Sequence, residues 1–261
     1  MTTLTAEHQL LIRATTADGA RAIDAWREWH SRTNVDALDA DSQWLLPLLF
    51  HNLHAQGVAL NLLGRYRNVY RHNWYKNHLA LQRARTAIDA LEEGTGPVIV
   101  LGAAAMALRL GVAAGARPFE SVDALLSRQG AAQHTPASSA LVMHRSRFGS
   151  PTDAIVVARA TPVQWRHRQW FVLDPADQLV DICVRPHDWD RLSKLFWMTD
   201  AAFLLRRCPA FNWPRVARLA IDMGQQEQVA LALHAVAEQG TPGIPTTVLR
   251  TLESSASSAA S

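Results

Sequence analysis

The sequence predicts an α+β protein that is mostly helical, with a small β-sheet in the middle of the chain. Apolar residues recur at the helical spacing of three and four through the first 95 residues and again after residue 174. Between these regions lie short runs rich in β-branched residues, which favour strands. We therefore expect an N-terminal helical region over 1–95, an α/β core over 96–173, a C-terminal helical bundle over 174–246 and a disordered tail over 247–261.

The composition is typical of a soluble globular chain. Its 261 residues are 48% hydrophobic, which is enough to bury the core of one large domain or of two closely packed domains. The net charge of +3 and the pI of about 9.2 permit a phosphate-bearing partner without requiring one. No apolar run approaches the roughly 20 residues of a membrane helix, and no apolar segment follows a basic start. We expect a cytoplasmic protein that does not enter the membrane.

Neither cysteine predicts a covalent or metal site. Cys183 and Cys208 lie in apolar helical surroundings, and they have no CxxC spacing. The sequence therefore favours two buried free thiols over a disulfide or a zinc site.

Two helices are expected at the start of the chain and a third soon after. The residues from Leu4 to Trp29 have helical periodicity, interrupted by an Ala-Asp-Gly turn at 17–19. Ser42 can cap the apolar run 44–53. Pro47 would then lie near the helix start, where proline is tolerated in the first turn.

The stretch Arg65–Arg85 is the most basic and aromatic part of the chain. One interpretation is a helix that packs into the core, because Tyr66, Tyr70 and Trp74 begin an apolar stripe that continues through Leu81, Ile88 and Leu91. The cations fall on more polar sectors of this helix. The other is a basic surface for an anionic ligand or partner, with phosphate contacts and base stacking. The spacing favours the core-packing helix with a solvated basic face.

The centre of the chain carries the candidate functional residues. From Val98 onward a β-branched run passes directly into the small residues Gly102 and Ala103, which open a helix. The backbone N–H groups at such a helix start are where phosphate groups are usually held. Asp123 follows on a second short apolar segment, which ends at Ser127.

Two motifs in this stretch resemble the uncharacterised nucleotidyltransferase family related to DNA polymerase β. Members of that family read roughly L-K-G-A-A-L and then R-P-M-x-D-[IV]-D-x-L-[VI]; this chain has LGAAAM at 101–106 and RPFESVDALL at 117–126. The apolar run 44–53 and the basic segment 66–77 are also similar to the family. The resemblance implies a degenerate member, with a small polymerase β-like sheet flanked by the N-terminal helices and the C-terminal helical bundle.

The chain departs from the family at the residues that hold metal. In a strand, residues i and i+2 point the same way, so an Asp-x-Asp pair places two carboxylates on one face to bind Mg²⁺. Here Ser121 replaces the first acid, Asp123 keeps the second, and Gly102 stands where the family has lysine. Glu120 falls on the opposite face unless a bulge intervenes. We expect weak metal binding at Asp123, or none.

The family's third carboxylate is expected on a later strand. The run Leu141–Arg145 best matches that strand and keeps its histidine, but Val142 occupies the position of the acid. In an alternative register, Asp153 could supply the acid, just before the β-branched run 155–157. On the favoured register, Asp123 is the one family carboxylate that remains.

The rest of the chain predicts one further strand and several helices. Residues 165–172 alternate enough for a strand, with a turn at 166–168. Helices are expected over 175–184, 190–206, 213–223 and 225–237. The Ser/Ala-rich end of the chain lacks residues able to form a core, which is the basis for the disordered tail.

The resemblance and the departures from it together imply a function. We expect a nucleotidyltransferase-fold protein with a degraded metal site, serving as a non-catalytic accessory or binding subunit in the biosynthesis of a peptide natural product or a polysaccharide. Asp123 would be the residual catalytic position, and Gly102, Ala103 and Arg117 the nucleotide-binding positions. No cofactor is expected. The alternative is an active enzyme that uses Mg²⁺ to move a nucleotide from an NTP to a small molecule, a peptide or an RNA.

The expected partner is another protein of the same pathway or a peptide substrate. A nucleic-acid or phospholigand binder that uses Arg65–Arg85 is a third, less favoured interpretation. Neither nucleic acid nor a membrane is an expected partner.

Overall fold

The computed structural model describes residues 4–126, 140–144, 146–149, 152–184, 195–208, 210–241 and 243–259. The chain divides into two compact units. The helical unit comprises Met1–Tyr70 and Pro175–Ser261, and the sheet unit comprises Arg71–Asp174.

Within the described ranges the chain forms eleven α-helices and five strands. In chain order they are α1 (Ala6–Thr16), α2 (Gly19–Arg32), α3 (Ala40–Ala55), α4 (Gly64–Thr95), β1 (Val98–Leu101), α5 (Gly102–Leu110), β2 (Val122–Leu126), β3 (Leu141–His144), α6 (Thr152–Ala158), β4 (Thr161–Trp165), β5 (Arg168–Val172), α7 (Pro175–Val184), α8 (Phe196–Arg207), α9 (Trp213–Asp222), α10 (Gln226–Glu238) and α11 (Thr246–Ala259). Short 3-10 turns cover Val35–Ala37 and Gly111–Ala116.

The three helices predicted at the start of the chain are confirmed, with one correction. The cap of α3 is Asp39 rather than Ser42. The Asp39 carboxylate accepts hydrogen bonds from Ser42 N at 2.9 Å and from Ser42 Oγ at 2.6 Å. Because the helix begins three residues earlier than expected, Pro47 lies inside it and not in its first turn.

Helices from both ends of the chain make up the helical unit. α1 packs on α2, α3 and α8, while α7 packs on α8, α9 and α10. The sequence boundaries put these helices in two separate regions, because periodicity along a chain does not show which helices pack together. A joint core of both ends is therefore a result of the tertiary structure.

The prediction of a disordered tail is wrong for residues 247–259, which belong to α11. This helix packs on α9 and α10. Val248 and Leu249 are buried, and Leu252 is fully buried, so one apolar stripe is enough to attach a helix that is otherwise rich in serine and alanine.

The other C-terminal helices lie close to their predicted positions. α7, α9 and α10 match the expected ranges within one residue at each end, whereas α8 begins at Phe196, and residues 190–194 of its predicted range lie outside the described residues. Neither Cys183 nor Cys208 forms a disulfide. Cys183 is buried in α7, where burial raises the pKa of its thiol to about 12, while Cys208 is partly exposed.

No helix in the described ranges is both long and apolar enough to span a membrane.

The sheet unit is built on a mixed five-stranded sheet with the order β3-β2-β1-β5-β4. β1 is antiparallel to β2 and parallel to β5, β3 is parallel to β2, and β4 is antiparallel to β5. α4 and α5 cover one face of the sheet. Their buried residues form a common core with alternating strand residues, including Val98, Val100, Val122 and Ala124. The next residues along each strand, among them Asp123, point to the opposite face.

Three local predictions for the sheet unit need correction. Residues 165–172 are not one strand but the end of a hairpin, in which β4 and β5 meet at the turn residues Arg166 and His167. The β-branched run 155–157 lies in α6, because a helix that begins at Thr152 includes it. In α4, Leu81 is fully buried as the core stripe predicts, but Trp74 is 37% exposed.

Candidate functional site

The site begins where β1 passes into α5 without a connecting loop. Leu101 ends the strand and Gly102 starts the helix. Gly102 has φ +56°, a left-handed conformation that suits glycine, and it allows the chain to turn directly from strand to helix. Leu101 occupies the N-cap position of α5, and its side chain makes no capping hydrogen bond. Gly102 and Ala103, the predicted nucleotide-binding residues, are therefore the first two residues of the helix, as expected.

Asp123 is brought to this helix start by strand register. In the antiparallel pair β1–β2, Asp123 lies opposite Leu101, the residue immediately before α5. Its side chain is 28% exposed. Asp123, the predicted residual carboxylate, thus lies next to Gly102 and Ala103, the predicted nucleotide-binding residues, at one edge of the sheet.

Val142 lies directly beside Asp123. The parallel pair β2–β3 puts the two residues in register, and side chains in register on adjacent strands point to the same face. Val142 is 43% exposed, so a large apolar side chain lies open at a position where a carboxylate could face the same ligand as Asp123. The register matches the favoured sequence alignment of this strand.

His144 is the partner of Asp123 that sequence reasoning did not identify. His144 Nε2 donates a hydrogen bond to Asp123 Oδ1 at 2.8 Å. The imidazole reaches the carboxylate because His144 follows Val142 by two residues in β3 and so points to the same face. The histidine was noted in the sequence, but its pairing depends on the register of two strands that are distant along the chain.

Asp153 has a structural role away from this edge. Its Oδ1 accepts hydrogen bonds from Arg147 N at 2.9 Å and Phe148 N at 2.8 Å, and its Oδ2 accepts one from the Ser146 hydroxyl. The residue is 9% exposed, in the first turn of α6. The alternative register in which Asp153 supplies a third carboxylate is not supported, because its oxygens bind the loop before α6.

Ser121 and Glu120 lie in a bend just before β2, which begins at Val122. Glu120 is exposed and Ser121 is half-buried. The strand alternation used to assign their faces applies only from Val122 onward. Ser121 still precedes Asp123 by two residues, and it brings a hydroxyl rather than a carboxylate.

Arg117 is buried at 4% exposure in the segment that leads to β2. Its Nη1 donates to the carbonyl of Pro118 at 2.9 Å. The backbone of this segment is held by Asn77 of α4, whose Nδ2 donates to the carbonyls of Ala114 at 2.7 Å and Arg117 at 2.8 Å. The Asn77 amide oxygen also accepts a hydrogen bond from Phe119 N at 3.3 Å. Nucleotide contact by Arg117 stays a prediction, while Asn77 is a positioning residue that the sequence did not single out.

The protein side chains at the Asp123 edge do not form a Mg²⁺ site by themselves. This ion prefers six oxygen ligands in octahedral geometry, and here one carboxylate is already hydrogen-bonded to an imidazole while Val142 offers no donor. Among the described residues, no group of three or more His, Cys, Asp or Glu side chains is arranged to hold a metal ion.

Comparison of the chain with protein-family models, with curated proteins and with solved structures finds no match.

Proposed function

We propose that the sheet unit is a degenerate nucleotidyltransferase core and that the chain acts as a non-catalytic accessory or binding subunit in a biosynthetic pathway. The pathway would make a peptide natural product or a polysaccharide, and the partner would be another of its proteins or a peptide substrate. The support is the resemblance of the motifs at 101–106 and 117–126 to that family, in which Gly102 replaces a lysine and Ser121 and Val142 replace acids.

The order of the elements supports the proposed scaffold. The first motif ends β1 and starts α5, and the second motif leads into β2. Asp123 lies opposite Leu101, and the strand aligned with the family's third acidic position pairs with β2. The three positions expected to supply carboxylates thus belong to one edge of the sheet.

The observation that carries the proposal is the pairing of Asp123 with His144 beside Val142. Nucleotidyl transfer depends on divalent ions that orient the phosphates and offset their charge. The family that the motifs resemble gathers such ions with an Asp-x-Asp pair and a third acid, whereas here one acid lies between a serine and a valine. A hydrogen bond from His144 further reduces the capacity of Asp123 to bind a cation.

The direct test measures pyrophosphate release from each of the four NTPs in the presence of Mg²⁺ or Mn²⁺. The full-length protein and the Asp123→Ala variant should both give the background rate. Clear turnover that disappears in Asp123→Ala would contradict the proposal and support the enzyme.

A second test rebuilds the lost charge. Val142→Asp combined with Ser121→Asp should create a site that binds Mn²⁺, detected by calorimetry, because the new acids flank Asp123. The control, Val142→Asn with Ser121→Asn, has nearly the same shape without the charge and should not bind. If the unmodified protein binds Mn²⁺ as tightly as the rebuilt one, the metal site is not degraded.

The alternative function is an active Mg²⁺-dependent nucleotidyltransferase that acts on a small molecule, a peptide or an RNA. One observation favours it: Asp123 remains beside the start of α5 with its side chain 28% exposed. Mg²⁺ can be held by one or two carboxylates when substrate phosphates and water complete its shell. The NTP assay separates the two functions.

A further inference from the structure

One face of α4 in the sheet unit exposes aromatic and basic side chains together. Arg71, Trp74, Tyr75 and His78 are spaced by three and four residues and lie on one side of the helix. Arg166, in the β4–β5 turn, lies over the Trp165 ring at 5.1 Å from its centroid, and Trp165 in turn contacts His78 with centroids 5.1 Å apart. We call these five residues the aromatic–basic surface.

The apolar part of this surface is open rather than packed. Trp74 is 37% exposed and Tyr75 is 64% exposed, and Arg71 and Arg166 are exposed as well. Leu81 and Ile88, seven and fourteen residues beyond Trp74 along the same stripe of α4, are at most 1% exposed. Adjacent large aromatic side chains at the surface mark a binding site more often than an isolated apolar residue does.

A series of aromatic ring contacts holds Trp74 and His78 in this surface. The centroids of Trp74 and His78 are 3.7 Å apart, those of His78 and Trp165 are 5.1 Å apart, and Trp165 meets Trp170 edge-on at 6.1 Å. His78 Nδ1 donates to the carbonyl of Trp74 at 2.7 Å. Trp74 therefore contacts the buried Trp165 and Trp170 through the His78 ring. Because its side chain is already held in place, little conformational entropy is lost when a partner covers it.

The charge around this surface has one sign. Within the sheet unit, residues 71–88 of α4 include four Lys and Arg residues and no Asp or Glu. The whole sheet unit has 12 Lys and Arg against 7 Asp and Glu residues, for a formal charge of +5. Of the three acids that follow in α4, Asp89 and Glu92 are ion-paired with Arg168, and Glu93 is exposed. Charge complementarity therefore requires an acidic partner.

The geometry fits a polypeptide better than a nucleic acid. Tryptophan, tyrosine and arginine are the residues that dominate the binding energy of protein interfaces. Trp74 and Tyr75 are consecutive on a helix, so their rings diverge by roughly 100° and do not form a platform for successive bases. His78 also covers one side of the Trp74 ring.

We propose that the aromatic–basic surface binds an acidic polypeptide segment of the partner protein. Arg71 and Arg166 pair with its carboxylates, and Trp74 and Tyr75 receive its apolar side chains. The inference rests on the proposed function of a binding subunit, and it names the chemistry of the partner. The surface is separate from the Asp123 edge, because α4 covers the sheet face that carries Val122 and Ala124 while Asp123 points to the other face.

The experiment uses the full-length protein and fluorescent peptides measured by anisotropy. The probes are a repeat of Glu-Glu-Leu, a repeat of Gln-Gln-Leu with the same length, and an oligouridylate of similar extent. The test variants are Arg71→Glu and Trp74→Ala. The matched control is Arg83→Glu, which makes the same charge change at an exposed position on another side of α4.

We expect the acidic peptide to bind and the uncharged peptide not to bind. Each test variant should weaken binding by about tenfold, whereas Arg83→Glu should change it by less than about twofold. Equal effects of Arg71→Glu and Arg83→Glu, or the absence of acidic-peptide binding, would overturn the proposal. Tighter binding of oligouridylate with the same variant pattern would assign the surface to nucleic acid instead. Asp123-dependent NTP turnover would contradict only the accessory function and would leave a positive peptide result standing.

Discussion

Asp123 and Asp153 belong to the same unit, but the structure uses their carboxylates in different ways. Asp153 is 9% exposed, and it accepts hydrogen bonds from two backbone N–H groups and from a serine hydroxyl. The side chain of Asp123 is 28% exposed, at the edge of the sheet, and accepts a hydrogen bond from an imidazole. A carboxylate bound by backbone donors maintains a loop, whereas one that is paired with another side chain at an open edge can still meet a ligand.

The strongest test of this contrast is Asp153→Ala. The change leaves the buried N–H groups of Arg147 and Phe148 without their acceptor, so we expect the free energy of unfolding to fall by about 2–4 kcal/mol. Urea denaturation measures the loss. Asp153→Asn retains one oxygen and should lose less. A loss below about 1 kcal/mol in Asp153→Ala would remove the distinction between the two aspartates.

A second contrast of the same kind lies within α4. Asn77→Leu removes the donor to two backbone carbonyls and the acceptor for Phe119 N, and should cost about 2–3 kcal/mol in thermal or urea unfolding. Asn73 is also buried in α4, but its Nδ2 has no hydrogen-bond partner within the described part of the chain. Asn73→Leu should therefore cost less, and equal losses would contradict the role assigned to Asn77.

Asp123→Asn should have a smaller effect on stability than either change. It weakens one hydrogen bond between partly exposed side chains, so we expect a loss below about 1 kcal/mol in urea denaturation. A loss as large as that of Asp153→Ala would mean that Asp123 maintains the sheet, and the argument for an open site would fail.

The smallest expected effect concerns His78, whose pKa lies below its ordinary value of 6.5 because of burial and, secondarily, the charge of Arg166. The unfolded chain therefore binds more protons than the folded chain in weak acid, so the contribution of neutral His78 is present above pH 6.5 and is lost as the pH falls through it. The free energy of unfolding, measured between about pH 7 and pH 5, should fall more steeply in the unmodified protein than in His78→Gln. Parallel curves would contradict the lowered pKa.

Local patterns in the sequence predicted the elements that depend on neighbouring residues. The strand before Gly102 and the helix after it follow from a β-branched run that meets small residues, and the structure confirms both. Periodicity also placed Leu81 in the core. The same periodicity was wrong for Trp74, because a stripe on a helix shows which residues can be buried but not how far the neighbouring elements cover them.

The sequence identified individual residues of the candidate site but not the contacts that bring them together. The motifs singled out Asp123 and Val142, and the absence of an acid at 142 can be read directly from the sequence. The hydrogen bond from His144 and the structural use of Asp153 could not, because both depend on contacts between segments whose relative positions are set by strand pairing and loop folding.

By itself, the sequence determined the α+β class, most helix positions and the shortage of negative charge around Asp123, since each of these depends on residue type and on spacing along a few turns of chain. Tertiary structure alone decided that helices from both ends share a unit, that residues 247–259 form a helix, and that Asp123 faces Val142 and His144. The physical reason is that burial and register are properties of pairs of distant segments, and the free energy that selects them comes from surface that neither segment can bury alone.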